Sequence, residues 1–488
     1  VVGYDADGDG NFTMGEKPAW VTSLSKENGD GGTVAETGTA TVTKDVTDLL
    51  AKRNKDMKEA TPRGTSSNYY DLSTHKLDGT VIPRSTANCY VISAPGFYKI
   101  PLVYGNAIKN GNKNESSYKT SNTGAYILQN FKDHLGNDIN DPWIEKTNSG
   151  ANSGVDGAKI VWADEADLVT AYSIEHDGNE AYLQFEVDKD DIKTGNVVLA
   201  ATKNDIVVWS WHLWFTAPDV LNTISCTNRQ NKIYNFTKET TGWKYTTWKR
   251  TSYDQPRTVK MKVRQTIPNG GNYQEAVIII KQNSGGVRQG YGVLYQWGRK
   301  DPFAGTDVFA EGSFQIDASQ FSFAKGIQHP EKFYHWNWFG IMHYNLWSIN
   351  NTVTGFNDNE VIKTVYDPSP AGFHVPASNA FTGFTTTGEN TNTLSEFNVS
   401  GSFDWGWDFN NKIISPDATI YFPAIGFRYA SNNGALLTVG TRADYWSAVT
   451  SHPENACRLF FVPNSVIPKH NGTGEYQNGC AVRPVADN

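Results

Sequence analysis

Asp5 opens the run D-A-D-G-D-G-N-F-T-M-G-E, which has the residue types and spacing of a calcium-binding loop. Asp5, Asp7, Asp9, Asn11, Thr13 and Glu16 fall where the ligands of a twelve-residue loop fall, and Gly10 sits where the backbone must turn sharply. Three short carboxylates and the Asn11 carbonyl can converge on a hard cation, Thr13 can reach it directly or through water, and Glu16 can close the shell with both oxygens. The competing reading is a solvated Asp/Gly turn. Only four residues precede the loop and Pro18 follows it closely, so the flanking helices of an EF-hand are not expected.

A second candidate is the aromatic stretch F-Y-H-W-N-W-F-G-I-M-H-Y-N-L-W from Phe333 to Trp347. Sugars present C–H faces that stack on aromatic rings, and amide and hydroxyl side chains bind their hydroxyl groups. On that chemistry Trp336, Asn337, Trp338, Tyr344, Asn345 and Trp347 are candidate ligand-binding residues. The alternative is a local core that pins a long loop, since large aromatic rings are usually buried. The same choice arises at Trp209, Trp211 and Trp214, where the core reading is favoured, and His212 beside them reads as a hydrogen-bonded structural histidine.

Catalytic patterns are missing. The sequence holds no G-x-S-x-G, H-E-x-x-H or Walker A run. A glycosidase needs only two carboxylates and no local motif, and 51 acidic residues offer too many pairs to choose among. No catalytic residue is assigned, and the chain is read as a non-enzyme.

The elements that position these residues are mostly strands. The 488 residues suit two to four domains; aromatic content is 13%, charged content only 19%, and Gly, Asn, Ser and Thr recur at turn spacing. A formal net charge of −8 without a long Lys/Arg block argues against nucleic acid. No apolar run is long enough for a transmembrane helix. Alternation predicts strands over 39–43, 159–162, 181–187, 196–201, 206–215, 258–264 and 276–281. A helix is expected over 45–60, with Val46, Leu49, Leu50 and Met57 on one face and Pro62 ending it. Segment 1–70 reads as the tail of a larger N-terminal domain. Segment 71–285 reads as a β-sandwich of immunoglobulin or transthyretin type, and 286–488 as a further domain.

Short aromatic runs punctuate the C-terminal segment: Y-Q-W-G-R-K-D-P-F from Tyr295, D-P-S-P-A-G-F-H-V-P from Asp367, Y-F-P-A-I-G-F-R-Y from Tyr421, D-Y-W-S-A-V from Asp444, A-C-R-L-F-F from Ala456 and N-G-C-A-V-R-P-V from Asn478. Together they resemble the C-terminal module of fimbrillin-family surface proteins from Bacteroidales, and the stretch from Thr86 to Gly111 resembles the same family. The resemblance implies a mainly β chain: a fimbrillin-like sandwich followed by an α+β domain of C-type-lectin-like fold, after a partial N-terminal segment. It further implies an extracellular location on the cell surface or fimbrium, and assembly with other pilin subunits by strand exchange.

The function expected on that basis is adhesion at the tip of a pilus, with a surface glycan or protein as ligand. The alternatives are a surface glycan-binding protein for nutrient capture and a secreted carbohydrate-active enzyme. Too few residues follow Val485 to donate a strand, which suits a terminal subunit. The Glu-Pro-Asn, Gln-Pro-Asp and Trp-Asn-Asp runs of calcium-dependent sugar-binding lectins are missing, which speaks against that type of sugar site. Beyond calcium at the Asp5 loop no cofactor is expected. Cys89 and Cys226 read as buried small hydrophobes. Cys457 and Cys480 are expected to face each other in neighbouring antiparallel strands, within disulfide range.

Overall fold

The structure, a computed structural model, describes residues 1–29, 37–265, 273–335, 342–452, 455–472 and 476–487. Strands take 41% of the chain and helices 8%, so the fold is mainly β as expected. Among the described residues no helix is long and apolar enough to cross a membrane.

Contacts divide the chain into two compact units. The first joins Val1–Leu50 to Thr247–Arg288, and the second joins Ala51–Thr246 to Gln289–Asn488. The units do not coincide with the expected segments 1–70, 71–285 and 286–488. Strands Arg257–Arg264 and Glu275–Gln282, expected to complete the middle sandwich, instead form a three-stranded sheet with Gly3–Asp5. The reason lies in side-chain alternation. Val259 and Met261 face inward and pack with Tyr4 and Val21, while Lys260 and Lys262, which alternate with them, point to the other face. Leu24 and Val42 from the strand pair Val21–Leu24 and Ala40–Val42, with Trp20 just before it, close this core.

In the second unit a five-stranded sheet runs in the order Glu311–Gly312, Gly157–Ala163, Gly195–Lys203, Ile206–Phe215, Cys89–Ile92. Its central hairpin turns on Asn204 and Asp205, both left-handed with φ of 49° and 65°, as the two-residue turn that matches strand twist requires. Ile206–Phe215 is buried along nearly its whole length. Both its faces are therefore covered, which explains its broken polar/apolar alternation. Trp209, Trp211 and Trp214 are core residues at 0%, 1% and 1% exposure. His212 hydrogen-bonds the Asn196 side-chain oxygen through Nε2 at 2.9 Å, and burial pushes its imidazole down to about 3. It is the structural histidine expected. A four-stranded sheet, Ala171–Asp177, Glu180–Val187, Gly96–Pro101 and Tyr70–Asp71, accompanies it.

Residues on either side of position 285 share sheets in this unit. Thr223–Thr227 and Ile233–Thr237 pair onward to Val485–Ala486 and Phe373–His374 in one four-stranded sheet. Asn88 donates from Nδ2 to the Val365 and Asp367 carbonyls at 2.7 and 2.8 Å. Arg483, fully buried, donates to the Thr237, Lys238 and Tyr421 carbonyls.

The expected helix is shorter than the sequence suggested. It spans Leu49–Glu59, with Arg53 and Met57 buried, whereas Val46–Asp48 is a strand and Val46 is 49% exposed. Arg53 is buried because Glu239 meets it with both oxygens, at 3.0 and 2.6 Å, a paired geometry that tolerates removal from water.

Candidate functional site

The Asp5 loop leaves the sheet at the end of Gly3–Asp5. It is closed by reciprocal backbone hydrogen bonds between Tyr4 and Thr13, at 2.9 and 3.0 Å. Gly8 and Gly10 hold φ of 84° and 88°, a region open to glycine at little steric cost. The loop brings carboxylate oxygens of Asp5, Asp7 and Asp9 within 4.8 Å of one another. Backbone N–H groups steady them: Gly8 donates to Asp5 at 2.6 Å, Asp9 to Asp7 at 3.1 Å and Asn11 to Asp9 at 2.7 Å. The Asn11 hydrogen bonds hold the Asp9 carboxyl below its usual range.

Glu16 stands apart from the three. Its oxygens accept from the Ala6 N–H at 3.2 Å and the Thr13 hydroxyl at 3.1 Å. Asp5 is buried, and its Oδ2 lies 3.1 Å from the Lys260 ammonium. The sheet register sets that contact, because Asp5 is the direct partner of Lys260. A hard cation at this loop would meet three of the expected carboxylates and a resident ammonium competing for one of them. Nothing in the sequence near residue 5 announces Lys260.

The aromatic stretch divides differently from the expectation. Trp336, Asn337 and Trp338 lie outside the described residues. Trp347 is a core residue: it is fully buried, donates from Nε1 to the Tyr366 carbonyl at 3.0 Å, and packs on Trp297 with ring centroids 5.4 Å apart. Asn345 is also fully buried. Its side chain accepts from the Leu128 N–H and donates to the Leu128 carbonyl, both at 2.9 Å, so its polar capacity goes into imitating a strand partner. Both residues are buried with their polar groups bonded inside the protein, the arrangement of the local-core alternative. Tyr344 is half-buried and stacks on Tyr126, itself 39% exposed, at 5.1 Å.

Cys457 and Cys480 are not on neighbouring strands. Asn455–Val462 pairs with Ala443–His452 and Ser465–His470, while Gly479–Cys480 pairs with Val293–Gln296 and Phe427–Tyr429. The expected disulfide geometry is therefore not formed, and both residues are buried thiols. Cys89 and Cys226 are buried as well, as expected of small hydrophobes.

One buried group has the composition of a nucleophile and its base. Lys300 Nζ lies 2.7 Å from Ser210 Oγ and 2.7 and 2.9 Å from the two Asp301 oxygens. Burial lowers the Lys300 ammonium to about 8. Ser210, Lys300 and Asp301 are 0%, 4% and 2% exposed, so a substrate cannot reach them. The cluster ties the Ser210 strand to the turn at 300–301 and acts as structure.

Sequence reasoning located the strand Glu275–Gln282 but missed its surroundings. It lies at the edge of its sheet, and Val277, Ile278 and Ile279 are 48%, 46% and 62% exposed. The signal available was the uncharged run Ala276–Ile280 between Glu275 and Lys281. No family model matches the chain, and neither does any curated protein or solved structure.

Proposed function

We propose that the chain is a cell-surface adhesion protein of fimbrillin type that joins a pilus, at its tip, by accepting a strand from a neighbouring subunit. The observation that carries this reading is the edge strand Glu275–Gln282, which among the described residues is paired on one side only. An edge strand offers a row of unpaired backbone N–H and C=O groups, and soluble proteins normally guard such edges with charge, proline or a bulge. Here the central run is β-branched, apolar and exposed. An added strand would take up the open hydrogen bonds and cover Val277 and Ile279.

In this reading the strand-rich part around residues 71–246 is a structural sandwich of immunoglobulin or transthyretin type. The part beyond Gly290 is lectin-like and extracellular, and it meets a surface glycan or protein. Its contact surface includes Tyr344 with Tyr126, because Trp347 and Asn345 are spent on the core. The Asp5 loop adds a calcium site to the unit that carries the open edge.

Pili purified from cells that make this protein test the proposal. The chain should co-purify with the fibres and be found at their ends by immunogold labelling. Ile279→Lys places a charge in the edge while leaving the inward-facing Ile280 in place, and it should yield a folded chain missing from the fibres. Normal incorporation of that variant, or a chain that binds soluble glycan and never assembles, would overturn the proposal.

A further inference from the structure

The second unit contains a cavity of about 630 Å³ that no motif predicted. Residues of the strand Cys89–Ile92, of segment 72–85 and of the turn 370–373 line it. We propose that this cavity binds a small organic anion with an apolar body, an amphiphilic carboxylate or sulfonate.

Size is the first argument, since cavities of roughly 300–1,000 Å³ are those that enclose most of a small ligand. Wall chemistry is the second. Leu72, Ile82, Val91 and Leu221 present aliphatic surface, and the half-buried Phe373 ring makes no aromatic pairing with another described residue. Polar side chains, among them Ser93, Asn110 and Asn222, share the wall with this aliphatic surface, a combination that suits an apolar body carrying one polar end.

The third argument is Arg63. Its backbone is fixed, with its N–H donating to the Pro95 carbonyl at 2.9 Å and its carbonyl accepting from Phe97 at 2.8 Å. Nη2 donates to the Leu77 carbonyl at 3.2 Å, which aims the guanidinium at the cavity. Gly79, at φ of 92°, makes room for it, since a Cβ there would stand 2.5 Å from Nη1.

The guanidinium also lies over the Tyr70 ring, 5.6 Å from its centroid, and among the described residues its one hydrogen-bond acceptor is the Leu77 carbonyl, with no carboxylate at ion-pair distance. The other charged groups lining the cavity are Lys76 and Asp78. They offset one another, and the Asp78 carboxylate is already held by the Thr80 N–H at 2.8 Å. His75 stacks on Tyr70 at 4.1 Å and is anchored through Nδ1 to the Asp71 carbonyl. The excess is one positive charge, on a planar fork suited to two oxygens of an oxyanion. Ser93 and Asn222 also line the cavity, with side chains that make no hydrogen bond among the described residues, and they supply further polar contacts.

Anilinonaphthalene sulfonate and its uncharged analogue phenylnaphthylamine are suitable probes for the full chain, read by fluorescence titration. The sulfonate should bind saturably at one site. Arg63→Met should weaken it by about tenfold or more, the scale of a lost charge-assisted contact, and change the uncharged probe by about twofold at most. Leu221→Trp and, independently, Ser93→Phe fill the cavity, and either variant with an unchanged melting temperature should lose both probes. The proposal is overturned by the lack of saturable binding to the wild type. Equal effects of Arg63→Met on both probes would overturn it too, as would binding that survives in a folded filling variant.

Discussion

Lys260 decides how the Asp5 loop behaves toward a cation. Its ammonium sits 3.1 Å from an Asp5 oxygen, so calcium must displace it or share that oxygen against a like charge. We expect Lys260→Gln to bind calcium more tightly than the wild type and Asp7→Asn to bind it more weakly, by calorimetry in the millimolar range typical of extracellular sites. No heat from either protein, with unchanged melting temperatures, would reduce the loop to a hydrogen-bonded turn. A second residue-level expectation concerns acid. His212 is held neutral in the fold, with its imidazole pushed down to about 3, while in the unfolded chain it titrates near 6.5. Between these values the unfolded state binds more protons, so stability is full above the upper value and falls as pH drops towards the lower. The slope from this one group is at most about 1.4 kcal/mol per pH unit. His212→Gln should flatten the acid side of the melting-temperature profile. Parallel curves for variant and wild type would mean that the ring is charged in the fold.

At the scale of elements, strand order overrides nearness in sequence. Asn455–Val462 and Gly479–Cys480 follow each other closely in the chain, yet each pairs with other strands. Burial pushes the Cys457 and Cys226 thiols up to about 12 and raises that of Cys89, and the thiolate is the reactive form. All four cysteines should therefore resist a thiol reagent in the native protein and react together on unfolding, whether or not reductant was present in purification. A reactive thiol, or a mass showing two missing hydrogens, would contradict the strand order. The aromatic stretch makes a related point. Trp347 bonds to Tyr366 and Asn345 to Leu128, so both serve to pin an irregular segment to the interior. Truncating a buried aromatic ring of this kind costs about 3–5 kcal/mol of stability.

For the molecule as a whole, the second unit is built from two long stretches of chain that complete each other. Phe236 pairs with Val485, and the Arg483 guanidinium donates to the carbonyls of Thr237, Lys238 and Tyr421 and to the Thr240 hydroxyl. A fragment of residues 286–488 would leave that buried guanidinium and the Val485 strand without these partners, at a cost of about 1–3 kcal/mol for each unmet polar group. The fragment should lack cooperative melting and dispersed amide resonances, whereas the full chain should show both. A fragment that folds with a sharp transition would show that these cross-links are dispensable. Ligand screens belong with the full chain for the same reason.

Local physics was legible in the sequence. A run of β-branched and aromatic side chains marked the strand at 206–215 to the residue, and the strands near 159, 181, 196, 258 and 276 were marked to within two residues of their ends, because strand pattern is a property of neighbouring side chains. The Asp and Gly spacing at residues 5–16 likewise announced a tight acidic loop, since turn chemistry is local. The triplet Trp209, Trp211, Trp214 could be assigned to the core from ring size alone. Partnership between distant parts of the chain was beyond reach. Lys260 meets Asp5 only because a sheet register brings residues 5 and 260 together, and Arg63 faces a cavity only because a turn at residues 76–80 accepts its hydrogen bond. Exposure was equally hidden. The sequence Ala276–Ile280 has the composition of a buried strand, and whether such a run is covered or left open is set by which strand lies beside it, a matter that tertiary packing alone decides.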